Sequence, residues 1–412
     1  MRSPQLLVPL RTVQFRRYWT GSVVSQLGDF ALFVALPFYV YTLTGSVVST
    51  GAVFVVQTVP QVVLAPLAGT LIDRWNTRQV LIFCNAAQAL MLLSLLAVHG
   101  SGEIWIVYLV ALLESLGTVF TAPAAGVLVH KIVEPEILVS ANAIEALGID
   151  LARLLGPPIG GLLFGAGGLL AVVVVDAATF GFAAAASWPI GKSAENEDQP
   201  GLLADFEGTA VRRVIREMWS GMATVAGGRP LRVIFSVVAF VFVGQGLLNV
   251  MLVPLVRHHL GGSATDLGLM LTGQALGGIL GGLAAGSLHV RPGRMVAGGC
   301  LVIALAISGL ANSPNLIVGI ACMAVAGVGA MAVLVGLTTI LQSGTPPSHL
   351  GRVFALFTAW LSLFTLAGVG LATGVGQEVG SVSLLDMAAA LIAIGGVVAL
   401  RLTRTPDRLV PD

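Results

Sequence analysis

The chain has 412 residues, 56% of them hydrophobic and only 10% charged, with a formal net charge of +1. Soluble domains carry about a quarter charged residues, so this chain cannot clothe a water-facing surface. Its near-neutral balance also excludes an electrostatic nucleic-acid partner.

The mean hydropathy of +0.94 points to the bilayer as solvent. At the N-terminus, "MRSPQLLVPLRTVQFRRYW" sets Arg11, Arg16 and Arg17 ahead of a long apolar run. That run exceeds a signal-peptide core and no small-residue cleavage site follows it, so it predicts a retained first span. Apolar runs of spanning length cover roughly 18–43, 46–72, 79–98, 104–129, 143–165, 168–190, 233–256, 267–288, 295–311, 315–341, 353–377 and 381–400. The expected fold is therefore an all-α membrane protein with 12 transmembrane helices in two six-helix bundles. The long polar interruption at 191–232 separates an N-terminal bundle, 1–190, from a C-terminal one, 233–412. Within that linker, Asp205 to Thr224 has helical apolar spacing with Arg212, Arg213 and Arg216 interspersed, which predicts an amphipathic surface helix.

With the N-terminus inside, 19 of the 21 basic residues fall on cytoplasmic segments; Arg153 and Arg257 are the exceptions. Both termini are thus expected in the cytoplasm of a bacterial cell, with the chain in its plasma membrane. A shift of 217 residues superposes Pro37 on Pro254, Gly45 on Gly262, Ser46 on Ser263, Gly51 on Gly268, Gln57 on Gln274 and Gly69 on Gly286. Repeated six-span halves with cytoplasmic termini are a layout of secondary transporters, whose substrate site lies between the repeats near the midplane.

Three stretches carry a resemblance. "GTLIDRWNTR" (from Gly69) resembles the loop 2–3 motif of the major facilitator superfamily. "LARLLGPPIGG" (Leu151 to Gly161) resembles the span 5 motif of its proton-coupled exporters, with Ala152 in place of an earlier glycine. Phe15 to Gly45, with "SANA" at 140–143 and "GRVFAL" at 351–356, resembles the branch containing macrolide-efflux proteins and the enterobactin exporter. The resemblance implies two bundles rocking around a central cavity, and export driven by proton entry. Its implied cargo is an amphipathic small molecule: a drug, a macrolide-like compound or a siderophore. Lysolipid or lipid flipping, and a non-transporting membrane sensor, are the alternatives.

In the loop 2–3 motif, Gly69 would let a neighbouring helix approach closely. Asp73 would accept from that helix's N-terminus while Arg78 pairs with a nearby acid, with Arg74 and Arg352 in the same conformational latch. The plainer reading is a short loop made soluble by its charges. Asp29 lies within span 1, Glu114 in span 4 and Asp176 in span 6, and intramembrane acids are functional by default. These three are candidates for proton coupling, along with Asp150 and Arg153, which stand at i, i+3 on span 5. The structural alternatives are pairing between Asp150 and Arg153, an ion pair of Asp29 with Arg153, and packing hydrogen bonds for Glu114 and Asp176. Gly156, Pro157, Gly160 and Gly161 are expected to kink span 5 or to pack it closely. Phe33, Gln57, Gln245, Asn249, Gln274 and Trp360 are candidate cavity residues.

Cys84, Cys300 and Cys322 lie in apolar runs without metal-ligand spacing, so no metal and no cofactor are expected. "GKS" at 191–193 ends like a phosphate-binding loop, but Ala186 replaces its first glycine. No enzyme activity is expected. The expected partners are a small-molecule substrate, protons and the bilayer, and the chain is expected to act as a monomer.

Overall fold

A backbone in hydrocarbon must satisfy its own hydrogen bonds, and apolar runs of this length do so as helices. The computed structural model describes residues 5–72, 75–191, 229–287, 290–345 and 347–401. The linker helix expected at 205–224 lies outside them. The helices are α1 (Val13–Thr44), α2 (Val47–Ile72), α3 (Thr77–Leu92), α4 (Ile104–Ile132), α5 (Leu138–Ser187), α6 (Arg229–Pro254), α7 (Ala264–Ser287), α8 (Pro292–Ala311), α9 (Leu316–Gly344), α10 (Pro347–Val379) and α11 (Ser381–Ala399). Among the described residues, 11 helices are long and apolar enough to cross a membrane.

One of these, Pro135–Ser187, has 53 residues. At 1.5 Å per residue it would far overrun a hydrocarbon core of about 30 Å. It breaks at Gly167 (φ −141°, ψ 17°) and Gly168 (φ 63°, ψ −156°). The second conformation is one that a Cβ makes costly, so the position calls for glycine. The break divides α5 into two limbs, 138–166 and 169–187, each of spanning length. The tandem Pro157–Pro158 is not where the helix opens: Gly167 and Gly168 are the residues of this element that leave helical φ/ψ. The break falls at the boundary expected between the spans 143–165 and 168–190.

The chain divides into two units, Met1–Thr44 with Val56–Ala210, and Gly45–Val55 with Val211–Asp412. In the first, α5 packs along α1 and α3, and α3 along α4. Its apolar core gathers Phe15 and Tyr18 of α1, Leu81 of α3, Leu128 and Val129 of α4, and Ala141 and Ile144 of α5. In the second unit, α9 packs on α7 and α8, while α11 packs on α6 and α8. There, helices meet through glycine: a Cβ at Gly277 would lie 2.7 Å from the Ala324 carbonyl carbon, and one at Gly327 would lie 2.8 Å from the Gly278 nitrogen. Within membranes, such close approach supplies the van der Waals contact that hydrophobic exclusion cannot.

Helix starts are capped where polar residues allow. Asn76 accepts from the Gln79 amide at 3.2 Å to begin α3, and Asn315 accepts from the Val318 amide at 3.0 Å to begin α9. Large apolar side chains such as Phe83, Leu90, Val139 and Ile317 point outward from the packed helices. That is a lipid-facing surface rather than an unfinished core.

Candidate functional site

The segment of α1 that carries Asp29 is fixed by glycines on its neighbour. A Cβ at Gly156 would lie 3.0 Å from the Leu27 carbonyl oxygen, and one at Gly160 would lie 2.6 Å from the Ala31 Cα. The first limb of α5 therefore presses its backbone against residues 27–31 of α1. Gly28 makes the matching allowance towards the second limb. A side chain there would collide with the Asp176 carboxylate and lie 2.5 Å from Thr179 Oγ1. In this way the "GPPIGG" stretch acts as a packing element that sets the depth and rotation of α1.

From α4 comes Glu114, one turn before Gly117. The bare face at Gly117 admits the Gln88 side chain of α3, whose Cδ would stand 2.6 Å from a Cβ there. Gln88 Nε2 donates to the Glu114 carbonyl at 3.3 Å. Next to Glu114, Ser115 Oγ donates to the Gln57 carbonyl of α2 at 2.5 Å. These contacts tie α2, α3 and α4 together around Glu114.

The result is a convergence of Asp29, Glu114 and Asp176. One carboxylate oxygen from each lies within 4.8 Å of the other two. Asp176 is fully buried; its Oδ1 accepts from Thr179 Oγ1 at 3.2 Å. Asp29 Oδ1, Glu114 Oε2 and Asp176 Oδ2 are buried and have no hydrogen-bond partner. Two unit charges about 4 Å apart repel by about 4 kcal/mol at an effective dielectric of 20. Three ionised carboxylates at this spacing are thus untenable without neutralisation, and the cluster must hold protons or another cation. It is chemically a site for positive charge inside an apolar bundle.

The other candidates distribute differently. Asp150 and Arg153 are both exposed on α5, and among the described residues no ion pair joins them. Arg153 places its guanidinium carbon 5.8 Å from the centre of the Phe30 ring, a cation–π distance. Neither residue belongs to the carboxylate cluster. Pro157 and Gly161 are buried in the α5 face that includes Gly156 and Gly160. Phe33 is exposed on α1, one turn beyond Asp29. Gln57 is half-buried on α2.

In the second unit, Gln245 Nε2 donates to Asn249 Oδ1 at 3.0 Å, one turn apart on α6. Gln274 on α7 lends its backbone to the crossing with α9, where its carbonyl carbon would lie 2.9 Å from a Cβ at Gly327. Trp360 stacks edge-on against Phe235 at 5.0 Å and lies 5.1 Å from Phe364, forming an aromatic cluster within this unit. Of the latch residues, Asp73 and Arg74 lie outside the described residues, and Gly69 and Arg352 are seen only as helical backbone positions. Arg78 Nη2 donates to the Trp188 carbonyl at 2.5 Å, so the start of α3 holds the end of α5.

Sequence reasoning passed over Gln88, Gly28 and Thr179, which support the cluster. Gln88 carried a signal, an amide within the apolar run of span 3, as Gln57 is in span 2. Gly28 and Thr179 carried none, because their value lies in what they leave room for. The hydrogen bond from Tyr18 to Glu145, between α1 and α5, was likewise not foreseen.

The profile of a family described as transmembrane secretion effectors matches residues 5–408. Macrolide efflux protein A of Streptococcus pyogenes is 24% identical over 376 residues, covering 89% of this chain and 90% of its own. The enterobactin exporter EntS of Escherichia coli is 26% identical over 407 residues, covering 94% and 91%. In fold, the chain superposes on a bacterial homologue of the iron transporter ferroportin, in an inward-facing state, with a TM-score of 0.74 at 15% identity, covering 95% of this chain and 99% of that one. This chain is a multi-pass membrane protein belonging to the transmembrane secretion effector family of major facilitator transporters.

Proposed function

We propose that the chain is a secondary active exporter of amphipathic small molecules, working by alternating access and driven by proton entry. Asp29, Glu114 and Asp176 are the proton-carrying site. The observation that supports this most is their convergence, with one buried oxygen of each left without a partner. An ion-coupled carrier needs a charge site that a cation enters on one side and leaves on the other. In the second unit, Asp266 accepts from Ser263 near the start of α7 and Asp386 from Ser308 and Asn312, both near helix ends rather than in mid-span. Coupling is thus assigned to the first unit.

The relatives named for macrolide and enterobactin export support a macrolide-like compound or a siderophore as cargo. The placement of 19 of the 21 basic residues supports a bacterial inner-membrane orientation with both termini in the cytoplasm. Gly69, Asp73, Arg74 and Arg78, around the connection of α2 to α3, are assigned the conformational latch, together with Arg352 near the start of α10. Asp73→Asn is expected to stop transport while leaving insertion intact.

The deciding experiment uses everted vesicles energised to an acid interior and carrying a pH-sensitive dye. Adding a transported macrolide or siderophore should release protons from vesicles with the wild-type chain. It should release none from vesicles with Asp29→Asn or Asp176→Asn at equal protein level. Substrate uptake without proton release in the wild type would overturn the coupling.

A further inference from the structure

The carboxylate cluster gathers buried acceptor oxygens, which a metal cation can satisfy as well as protons. Asp29 Oδ1, Glu114 Oε2 and Asp176 Oδ2 are buried without partners. A fourth buried oxygen belongs to Gln88, whose side chain is hydrogen-bonded to the backbone of Glu114. Gln88 is only 4% exposed, and its Nε2 is held by the Glu114 carbonyl at 3.3 Å. Its Oε1 is also buried without a partner. Burying an amide oxygen unpaired is costly, and native proteins seldom do so without a ligand, water or ion to receive it. Thr179 Oγ1 already donates to Asp176 Oδ1 and to the Asp176 carbonyl. The unsatisfied groups on Asp29, Gln88, Glu114 and Asp176 are therefore all oxygens.

We infer that Asp29, Glu114 and Asp176, with the Gln88 amide oxygen, form a binding site for a hard divalent cation of the calcium class. Each feature of the site narrows the choice. The ligand set is oxygen only, with no histidine or cysteine in the cluster, which disfavours zinc, copper and other softer ions. Oxygens on opposite sides of a calcium ion stand about 4.6–5.2 Å apart, twice the metal–oxygen distance, and a magnesium shell is limited to about 4.0–4.2 Å. The carboxylate oxygens lie within 4.8 Å of one another, inside the calcium span, and a magnesium ion, which keeps several waters and usually takes one or two carboxylates, suits a buried cage of three poorly. Charge favours a divalent ion too: against three carboxylates it leaves one negative charge, and a sodium ion leaves two. A neutral amide oxygen adds a ligand without adding charge, which suits an ion that takes six to eight oxygens. Occupancy would tie α1, α3, α4 and the second limb of α5 to one centre. It rests on the site assigned to coupling but not on the coupling itself, and it gives that site a second occupant that competes with protons.

The test is equilibrium binding of radioactive calcium to the purified full chain in detergent, stripped of metal beforehand, with the unfolding midpoint measured in parallel. The wild type should bind one calcium per chain saturably, with a raised midpoint, and excess magnesium should displace it poorly. Asp176→Asn and Glu114→Gln should each weaken binding by at least ~10-fold, the scale on which metal sites respond to loss of supporting groups. Gln88→Ala should weaken it as well. Glu136→Gln, an exposed acid outside the cluster, should bind as the wild type does. Monodisperse elution of each variant separates lost binding from lost folding. Absence of saturable calcium binding, or equal binding by wild type, Asp176→Asn and Glu114→Gln, overturns the site. Proton-coupled export without calcium binding removes the cation and leaves the exporter; calcium binding without proton-coupled export does the reverse.

Discussion

Gly28 and Asp176 occupy one another's space: the carboxylate of Asp176 lies where a side chain at position 28 would project. The residue next to Asp29 is thus bare because a second acid has to reach it. Gly28→Ala should push Asp176 and Thr179 aside in a filled interior, at about 1–3 kcal/mol. The unfolding midpoint should fall and proton release on substrate addition should be lost. Unchanged stability and coupling in Gly28→Ala would show that the two residues do not share this space.

Asp176→Asn separates charge from shape. The amide fills nearly the same volume and can still accept from Thr179, so the fold should be retained. It also supplies a donor to neighbouring acceptors. Substrate-linked proton movement should vanish while substrate binding persists, checked by vesicle alkalinisation beside ligand-induced stabilisation. Retained proton movement would remove Asp176 from the coupling site.

Which parts of this molecule are legible in the sequence follows from what each depends on. Helix positions depend on apolar run length, so the spans emerged directly, and the boundary expected between 143–165 and 168–190 coincides with the Gly167–Gly168 break. Pro157 and Pro158 keep helical φ/ψ, because a missing amide can be tolerated within a helix, whereas the break between the two limbs needs the backbone freedom of Gly168. Asp29, Glu114 and Asp176 each stood out as acids in apolar runs. Their meeting did not, because it depends on the rotation of three helices, set by contacts such as Gly160 on Ala31 and Gly28 on Asp176. Small residues permit many such contacts and specify none by type alone.

Arg78 bonds to a carbonyl at the end of α5, a helix terminus where orphan carbonyls favour a cation. Arg78→Ala should cost about 1.5–3 kcal/mol, the range for a hydrogen bond from a charged group. Arg78→Lys keeps the charge and should recover part of it. The latch reading adds that Arg78→Ala slows transport more than this loss explains, since Asp73 and Arg74 depend on the same loop. Transport that falls only in step with folded protein would reduce Arg78 to a structural tie.

Gly160 offers the sharpest contrast between a necessary and an incidental glycine. A Cβ there would lie 2.6 Å from the Ala31 Cα, and backbone cannot yield as a flexible side chain does. Gly160→Ala should therefore separate the first limb of α5 from α1 at about 1–3 kcal/mol. Because this contact sets the depth of Asp29, coupling should weaken even where the protein still folds. Gly126, on α4, has nothing within 4 Å of the place a Cβ would take, and Gly126→Ala should be neutral or stabilising by up to about 1 kcal/mol through helix propensity. Thermal unfolding of the two variants beside the wild type checks the pair. Equal midpoints for Gly160→Ala and Gly126→Ala would mean that the helix contact does not hold α1 in place, and the account of how Asp29 is positioned would fail with it.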